Sequence, residues 1–189
     1  MEPFLVSTGI VALAEMGDKT QLLSLLLAAR YRRPVPIVTG ILVATLLNHA
    51  FAGAVGAWVQ QAVGADRLRW ILGASFVAIG AWMLVPDELE DTDRGPGRFG
   101  VLGTTLIAFF VAEMGDKTQI ATVALAARYD AFVAVVSGTT LGMMIANVPA
   151  VLLGERIVRI VPIPVVHRIA AAVFVILGVL ALLDIGRPV

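Results

Sequence analysis

One octapeptide, Ala-Glu-Met-Gly-Asp-Lys-Thr-Gln, occurs twice in this chain, at positions 14–21 and 112–119. Both copies lie in the middle of long apolar stretches that otherwise contain no charged residue. A carboxylate at the centre of a bilayer costs about 3 kcal/mol or more, so such a residue usually marks a pathway or a binding site. The repeated motif therefore requires a fold that shields four acids from lipid: Glu15, Asp18, Glu113 and Asp116.

The composition indicates a membrane protein. The chain has 189 residues, of which 59% are hydrophobic and 15% charged, and its mean hydropathy is +0.91. A soluble domain of this length cannot bury so much apolar surface. The net charge of +0 provides no basic face for nucleic acid, and the absence of cysteine excludes disulfides, thiolate metal sites and cysteine nucleophiles. The chain begins Met-Glu-Pro without a basic run, so we expect its first segment to be retained rather than cleaved as a signal.

The hydropathy pattern predicts an all-α integral membrane protein with six transmembrane helices. About 20 apolar residues are needed for each crossing. The predicted spans are 4–29, 35–59, 68–85, 100–127, 131–154 and 165–183. The acidic, Pro- and Gly-containing stretch 86–99 is typical of a solvated linker. We therefore predict a first three-helix repeat at 1–85 and a second at 100–189.

The two halves are related by a constant shift of 98 residues. Under this shift the octapeptides match in full, Gly40 falls on Gly138, and Phe76 falls on Phe174. Three crossings per repeat is an odd number, so the second repeat must enter the membrane from the opposite side. The sequence thus predicts an inverted-topology pair, the arrangement of many secondary transporters, with both octapeptides facing each other at the midplane.

The arginines indicate an orientation in the membrane. The first, third and fifth loops hold eight arginines, and the other side holds four. By the positive-inside rule, we expect a multi-pass protein of the cell inner membrane with both termini outside and linker 86–99 in the cytoplasm. The sequence leaves monomer and homodimer equally open.

The repeated motif has the composition of a cation and proton site. On a helix, Glu15, Asp18 and Lys19 share one face, and the second copy repeats this spacing. Four carboxylates and two lysines leave a formal charge of −2, which one divalent cation or about two protons would neutralise. The predicted metal ligands are Glu15, Asp18, Glu113 and Asp116. Further residues predicted to line the site are Lys19, Lys117, Thr20, Thr118, Gln21, Gln119, His49 and Asn147.

Structural interpretations of the same residues stay open at this point. The acids and lysines could pair only with each other and hold the halves in register. Met16 and Met114 could serve packing or act as soft ligands, and His49 and Asn147 could form interhelical hydrogen bonds or line the site. His167, near a predicted cytoplasmic end, is interpreted as interfacial.

The motif carries a family resemblance over essentially the whole chain. The signature Glu-x-Gly-Asp-Lys-[Ser/Thr], at 15–20 and 113–118 together with the segment 138–149, resembles the Golgi manganese/calcium transporters and the bacterial MneA-type manganese exporters. The resemblance implies a secondary transporter that moves Mn²⁺, or alternatively Ca²⁺, out of the cytosol against protons. It also implies that the acids of both motifs are the ion ligands, with the metal as cargo and no prosthetic group.

Two other classes of function compete with cation export. The acids could serve as counter-charges for a small cationic organic solute such as a basic amino acid. More remotely, paired aspartates could form an intramembrane enzyme, although the adjacent lysines would suppress the shared proton of an aspartyl dyad, or the chain could be a structural membrane subunit.

Overall fold

The computed structural model describes residues 1–63, 65–85, 99–154 and 163–183, and these form α-helices without any strand. The linker predicted at 86–99 lies outside the described residues except for its last position. The all-α prediction is confirmed for the described ranges. The helices are α1 (Glu2–Glu15), α2 (Lys19–Tyr31), α3 (Pro34–Val63), α4 (Ala65–Trp82), α5 (Gly100–Glu113), α6 (Lys117–Tyr129), α7 (Phe132–Leu153) and α8 (Ile163–Leu182).

The predicted spans 4–29 and 100–127 are each broken into two helices at the octapeptide. α1 ends at Glu15 and α2 begins at Lys19, with Gly17 at φ 84° between them; in the second copy Gly115 has φ 79°. Glycine alone adopts this left-handed backbone without steric cost, so the motif encodes a break. The prediction that Glu15, Asp18 and Lys19 share one helical face is therefore wrong, as is its counterpart in the second copy.

Several helices have the dimensions of membrane spans. Within the described ranges, three are long and apolar enough to cross a bilayer: Pro34–Val63, Phe132–Leu153 and Pro164–Leu182. α5 is apolar but shorter. The broken pairs α1–α2 and α5–α6 each contain 27 residues in two helices of 14 and 13, which together are long enough to cross a bilayer.

The long helices α3 and α7 each pack beside the broken span of the other half. α7 lies along α1 and α2, and α3 lies along α5 and α6. A Cβ added at Gly138 would come within 2.5 Å of the Phe4 carbonyl, and one at Gly40 within 3.0 Å of the Leu102 carbonyl. The two contacts are equivalent under the 98-residue shift, because Gly40 corresponds to Gly138 and Phe4 corresponds to Leu102. The same close approach of helices therefore occurs in both halves.

α4 and α8 form a closely packed antiparallel pair. Gly80 approaches the Ala171 carbonyl while Gly178 approaches the Gly73 carbonyl, and the rings of Phe76 and Phe174 are 6.2 Å apart. This pair joins one apolar cluster with α1 and α6. A second cluster is built from α2, α3, α5 and α7. The two broken spans meet each other through contacts of α1 with α6 and of α2 with α5.

Candidate metal centre

A glutamine fixes the loop at each helix break. The side-chain oxygen of Gln21 accepts a hydrogen bond from the Gly17 N–H at 2.9 Å, and Gln119 accepts one from Gly115 at 2.7 Å. These glutamines occupy the third position of the following helix, where such a side chain commonly reaches back to the preceding backbone. Gln21 and Gln119, predicted to line the site, thus hold the loops in shape.

An aspartate occupies the N-cap position of the helix that follows each break. Asp18 and Asp116 precede α2 and α6 in extended backbone conformation, and Asp116 accepts a hydrogen bond from the Lys117 N–H at 2.7 Å. A carboxylate is stabilised there by the helix dipole and by the unpaired backbone N–H groups. The break therefore exposes backbone N–H groups that stabilise a negative charge, whereas in a continuous helix these groups would be hydrogen-bonded within the helix.

Three carboxylates from the two motifs meet in the interior. Glu15, Glu113 and Asp116 each place an oxygen within 4.8 Å of the others, and all three side chains are buried. Oε1 of Glu15 and Oε1 of Glu113 have no hydrogen-bond partner among the described residues. Asp18 is buried but lies outside this three-residue cluster. The structure thus brings together three of the four predicted ligands.

Each glutamate is oriented by the threonine of its own motif. The Thr20 hydroxyl donates to Oε2 of Glu15 at 2.5 Å, and the Thr118 hydroxyl donates to Oε2 of Glu113 at 3.3 Å. The threonines are buried with their glutamates. Oε2 of each glutamate is therefore held by a hydrogen bond, and Oε1 is left to bind a cation or a proton.

The two lysines form crossed ion pairs between the motifs. Lys117 lies 2.9 Å from Asp18, and Lys19 lies 3.4 Å from Asp116. The Lys117 side chain is 1% exposed and that of Lys19 is 26% exposed, so the two pairs are in unequal environments. If both aspartates and both lysines are charged, these four groups sum to zero, and the formal −2 belongs to the two glutamates.

The polar residues predicted on α3 and α7 have different surroundings. Asn147 accepts a hydrogen bond from Ser24 at 2.7 Å and donates to the Met143 carbonyl at 3.1 Å, so it links α7 to α2. His49 is fully buried, and neither ring nitrogen has a hydrogen-bond partner among the described residues. The 98-residue register relates these two positions, but only Asn147 makes an interhelical hydrogen bond.

One contact at the first break was missed by the sequence interpretation. Nε2 of His167, on α8, donates to the Met16 carbonyl at 2.8 Å. The sequence indicates only an interfacial position for His167, because the residue is far from the motif along the chain. The signal that could have revealed it is the register: the shift of 98 places the basic residue Arg69 at the equivalent point of α4.

Comparison with known proteins finds a matching family and several relatives. The family model described as "Divalent cation/proton antiporter GDT1" matches residues 3–91 and 101–187. The chain is 47% identical over 179 residues to a Vibrio cholerae protein named "Putative manganese exporter", a match covering 94% of this chain and 89% of that protein. It is 29% identical over 170 residues to "GDT1-like protein sll0615" of Synechocystis, covering 77% and 80% of the two chains. No solved structure matches the chain significantly.

The family match covers nearly the whole chain, including both octapeptides and the helices that surround them. It also identifies the general activity as transport across a membrane rather than catalysis, and it confirms the resemblance found in the motifs. The chain belongs to the GDT1 family of divalent cation/proton antiporters.

Proposed function

We propose that this protein exports Mn²⁺ from the cytosol in exchange for protons, with Ca²⁺ as the alternative cargo. The observation that carries the proposal is the buried cluster of Glu15, Glu113 and Asp116, to which both motifs contribute. Carboxylate oxygens suit hard and borderline divalent ions. The preference for Mn²⁺ comes from the relative named as a manganese exporter.

The size of the cluster supports a single ion as cargo. Oxygen ligands lie about 2.3–2.6 Å from a Ca²⁺ ion, so two ligands of one ion are at most about 5 Å apart. The cluster oxygens lie within 4.8 Å of one another. The three carboxylates are also buried, so a solute as large as a basic amino acid would have to displace the side chains around them. The compact, buried arrangement therefore favours a metal ion over the organic cation.

The charge arrangement supports exchange. Because the crossed lysines offset the two aspartates, the glutamates Glu15 and Glu113 carry the uncompensated formal charge of −2. Either one divalent ion or two protons cancel this charge, and keeping both glutamates ionised and empty in a dry interior is costly. Metal entry therefore displaces protons, and proton entry displaces the metal. Asp18, beside Lys117, is proposed to join the ligands when the ion pairs rearrange.

The proposed membrane arrangement comprises six crossings in two inverted repeats, 1–85 and 100–189, joined by linker 86–99. Support comes from the glycine contacts repeated at a spacing of 98 residues and from the parallel course of α7 along α1–α2 and of α3 along α5–α6. We place both termini outside and the linker in the cytoplasm of the inner membrane, on the arginine distribution.

Uptake of Mn²⁺ into inverted membrane vesicles tests the proposal. With an imposed proton gradient, wild-type vesicles should accumulate Mn²⁺ and release protons. The Glu113→Gln variant removes one of the two uncompensated charges while keeping side-chain volume, and its uptake should fall at least about tenfold. Uptake of Ca²⁺ and Mg²⁺ under the same conditions defines the cargo.

The matched control is Glu2→Gln, which neutralises an exposed acid at the start of α1. It should transport Mn²⁺ as the wild type does. Equal transport by Glu113→Gln and wild type would refute the assignment of this ligand. Export of a basic amino acid without any metal dependence would instead favour the organic-cation alternative.

A further inference from the structure

The α4–α8 pair contacts only one half of each broken span closely. α8 packs on α1, and α4 packs on α6. The equivalent contacts under the 98-residue register are those of α4 with α5 and of α8 with α2, and these helices make little or no contact. The pair is therefore placed asymmetrically, although the elements around it repeat. The duplicated chain thus places this pair closely against only α1 and α6 of the two broken spans.

Side-chain exposure shows the same asymmetry. On α6, Ala124 is 4% exposed beneath the pair, whereas its counterpart Leu26 on α2 is 54% exposed. On α1, Leu13 packs against the apolar cluster, whereas its counterpart Val111 on α5 is 60% exposed. The uncovered surfaces are apolar and stand in the positions that the register assigns to the same α4–α8 pair.

One polar contact follows the same asymmetry. His167 of α8 donates to the Met16 carbonyl at the first break. Arg69, its equivalent on α4, lies with its guanidinium 5.4 Å from the centre of the Trp70 ring, and its Nε has no hydrogen-bond partner among the described residues. Met114, the equivalent of Met16 at the second break, has a 60% exposed side chain.

We propose that His167 and Arg69 are alternating positioning residues that hold the α4–α8 pair at one or the other helix break. In the position seen here, His167 binds the Met16 carbonyl and the pair covers α1 and α6. In the other position, Arg69 binds the Met114 carbonyl and the pair covers α5 and α2. This inference rests on the proposed exchange, in which the buried ion cluster must open to the two sides of the membrane in turn.

Thiol cross-linking tests the two positions directly, since the natural chain contains no cysteine. Two double variants are compared in membranes: Met16→Cys with His167→Cys, and the register-equivalent Met114→Cys with Arg69→Cys. A short, cleavable cross-linker that reacts with two thiols should link both pairs. Each link should stop Mn²⁺ uptake until the cross-linker is cleaved. Failure of the second pair to link in metal-free, Mn²⁺-loaded and acidified samples, or full transport with the first pair linked, overturns the proposal.

A single substitution measures the contribution of the contact. In the Met114→Cys, Arg69→Cys background, His167→Leu removes the donor that holds the observed position, so the linked fraction should rise roughly fivefold, the equivalent of one hydrogen bond. His167→Gln keeps an N–H donor and should restore the starting fraction. An unchanged fraction in His167→Leu overturns the role of His167.

Cross-linking does not depend on the identity of the cargo. If both pairs link but vesicles accumulate no divalent cation, the two positions stand and the proposed function fails. If vesicles exchange Mn²⁺ for protons but only the first pair links, the function stands and the alternation fails.

Discussion

At the scale of single residues, the site divides its acids into two kinds. Asp18 and Asp116 occupy N-cap positions and face lysines of the opposite motif, whereas Glu15 and Glu113 face each other and a threonine of their own motif. The sequence shows four acids of equal standing. The helix break separates them into two kinds. The aspartates are at N-cap positions beside lysines, and the glutamates carry the charge that the two lysines do not offset.

The unequal burial of the lysines predicts unequal effects of removing them. Lys117→Met deprives the buried Asp18 carboxylate of its ammonium partner and should destabilise the fold by about 3–5 kcal/mol. Lys19→Met should have a smaller effect because Lys19 is partly exposed and water can screen the loss. Thermal unfolding of the purified variants in detergent measures both.

The control is the double variant Lys117→Met with Asp18→Asn, which removes both charges and should recover part of the lost stability. If Lys117→Met unfolds at the same temperature as Lys19→Met, the buried pair does not have the energetic role assigned to it.

At the scale of elements, the break in each first span is the feature that sequence periodicity could not supply. The apolar stretches 4–29 and 100–127 have the length and composition of continuous helices. The information lies in Gly17 and Gly115, whose positive φ angles end one helix and allow an aspartate to cap the next. A glycine between two acids suggests a close approach of helices as readily as a turn, so the sequence alone did not distinguish them.

Gly115→Ala tests the break as a backbone requirement. An added Cβ would meet nothing within 4 Å, so its cost of about 1–2 kcal/mol comes from the left-handed conformation at φ 79°. This strain should displace Asp116 and weaken Mn²⁺ binding, which titration calorimetry measures alongside thermal stability.

Gly9→Ala provides the matched control, because its added Cβ also meets nothing within 4 Å but lies within helix α1. It should bind Mn²⁺ like the wild type and be equally or slightly more stable, since alanine favours a helix. Equal behaviour of the two alanine variants would contradict the need for a left-handed residue at the break.

At the scale of the whole molecule, the duplication explains how much could be predicted. The 98-residue register predicted that the two motifs face each other, and acids from both halves do meet. The close glycine contacts repeat at the same spacing but were found only in the structure. The register could not indicate that the α4–α8 pair would lie against α1 and α6 rather than against α5 and α2, because a register describes what the repeats share and not how they differ in one conformation. For the same reason it could not indicate that Asn147 makes an interhelical hydrogen bond while its equivalent His49 makes none among the described residues.

Metal–proton competition predicts a pH dependence for the intact transporter. Carboxylates must lose their protons to bind the ion, so Mn²⁺ affinity should fall as pH falls. Where two protons are displaced per ion, the dissociation constant should rise by about a hundredfold per unit of acidification. Calorimetry at two pH values, with proton release followed in buffers of different ionisation enthalpy, gives the stoichiometry.

The double variant Glu15→Gln with Glu113→Gln serves as comparison, because it cannot exchange protons at these positions. Its residual Mn²⁺ affinity should be much weaker and less dependent on pH. An affinity of the wild type that stays constant on acidification would exclude the exchange mechanism.

The crossed ion pairs have a consequence for biogenesis. Because Lys19 faces Asp116 and Lys117 faces Asp18, neither half brings along the counter-ion used by its own aspartate. A fragment ending before the linker would contain Asp18 but not Lys117, so this carboxylate would lie within the membrane without its ammonium partner. When the halves are synthesised as two separate polypeptides in the same cell, the lysine of each half can pair with the aspartate of the other. A split transporter should therefore assemble only when both pieces are produced in the same membrane.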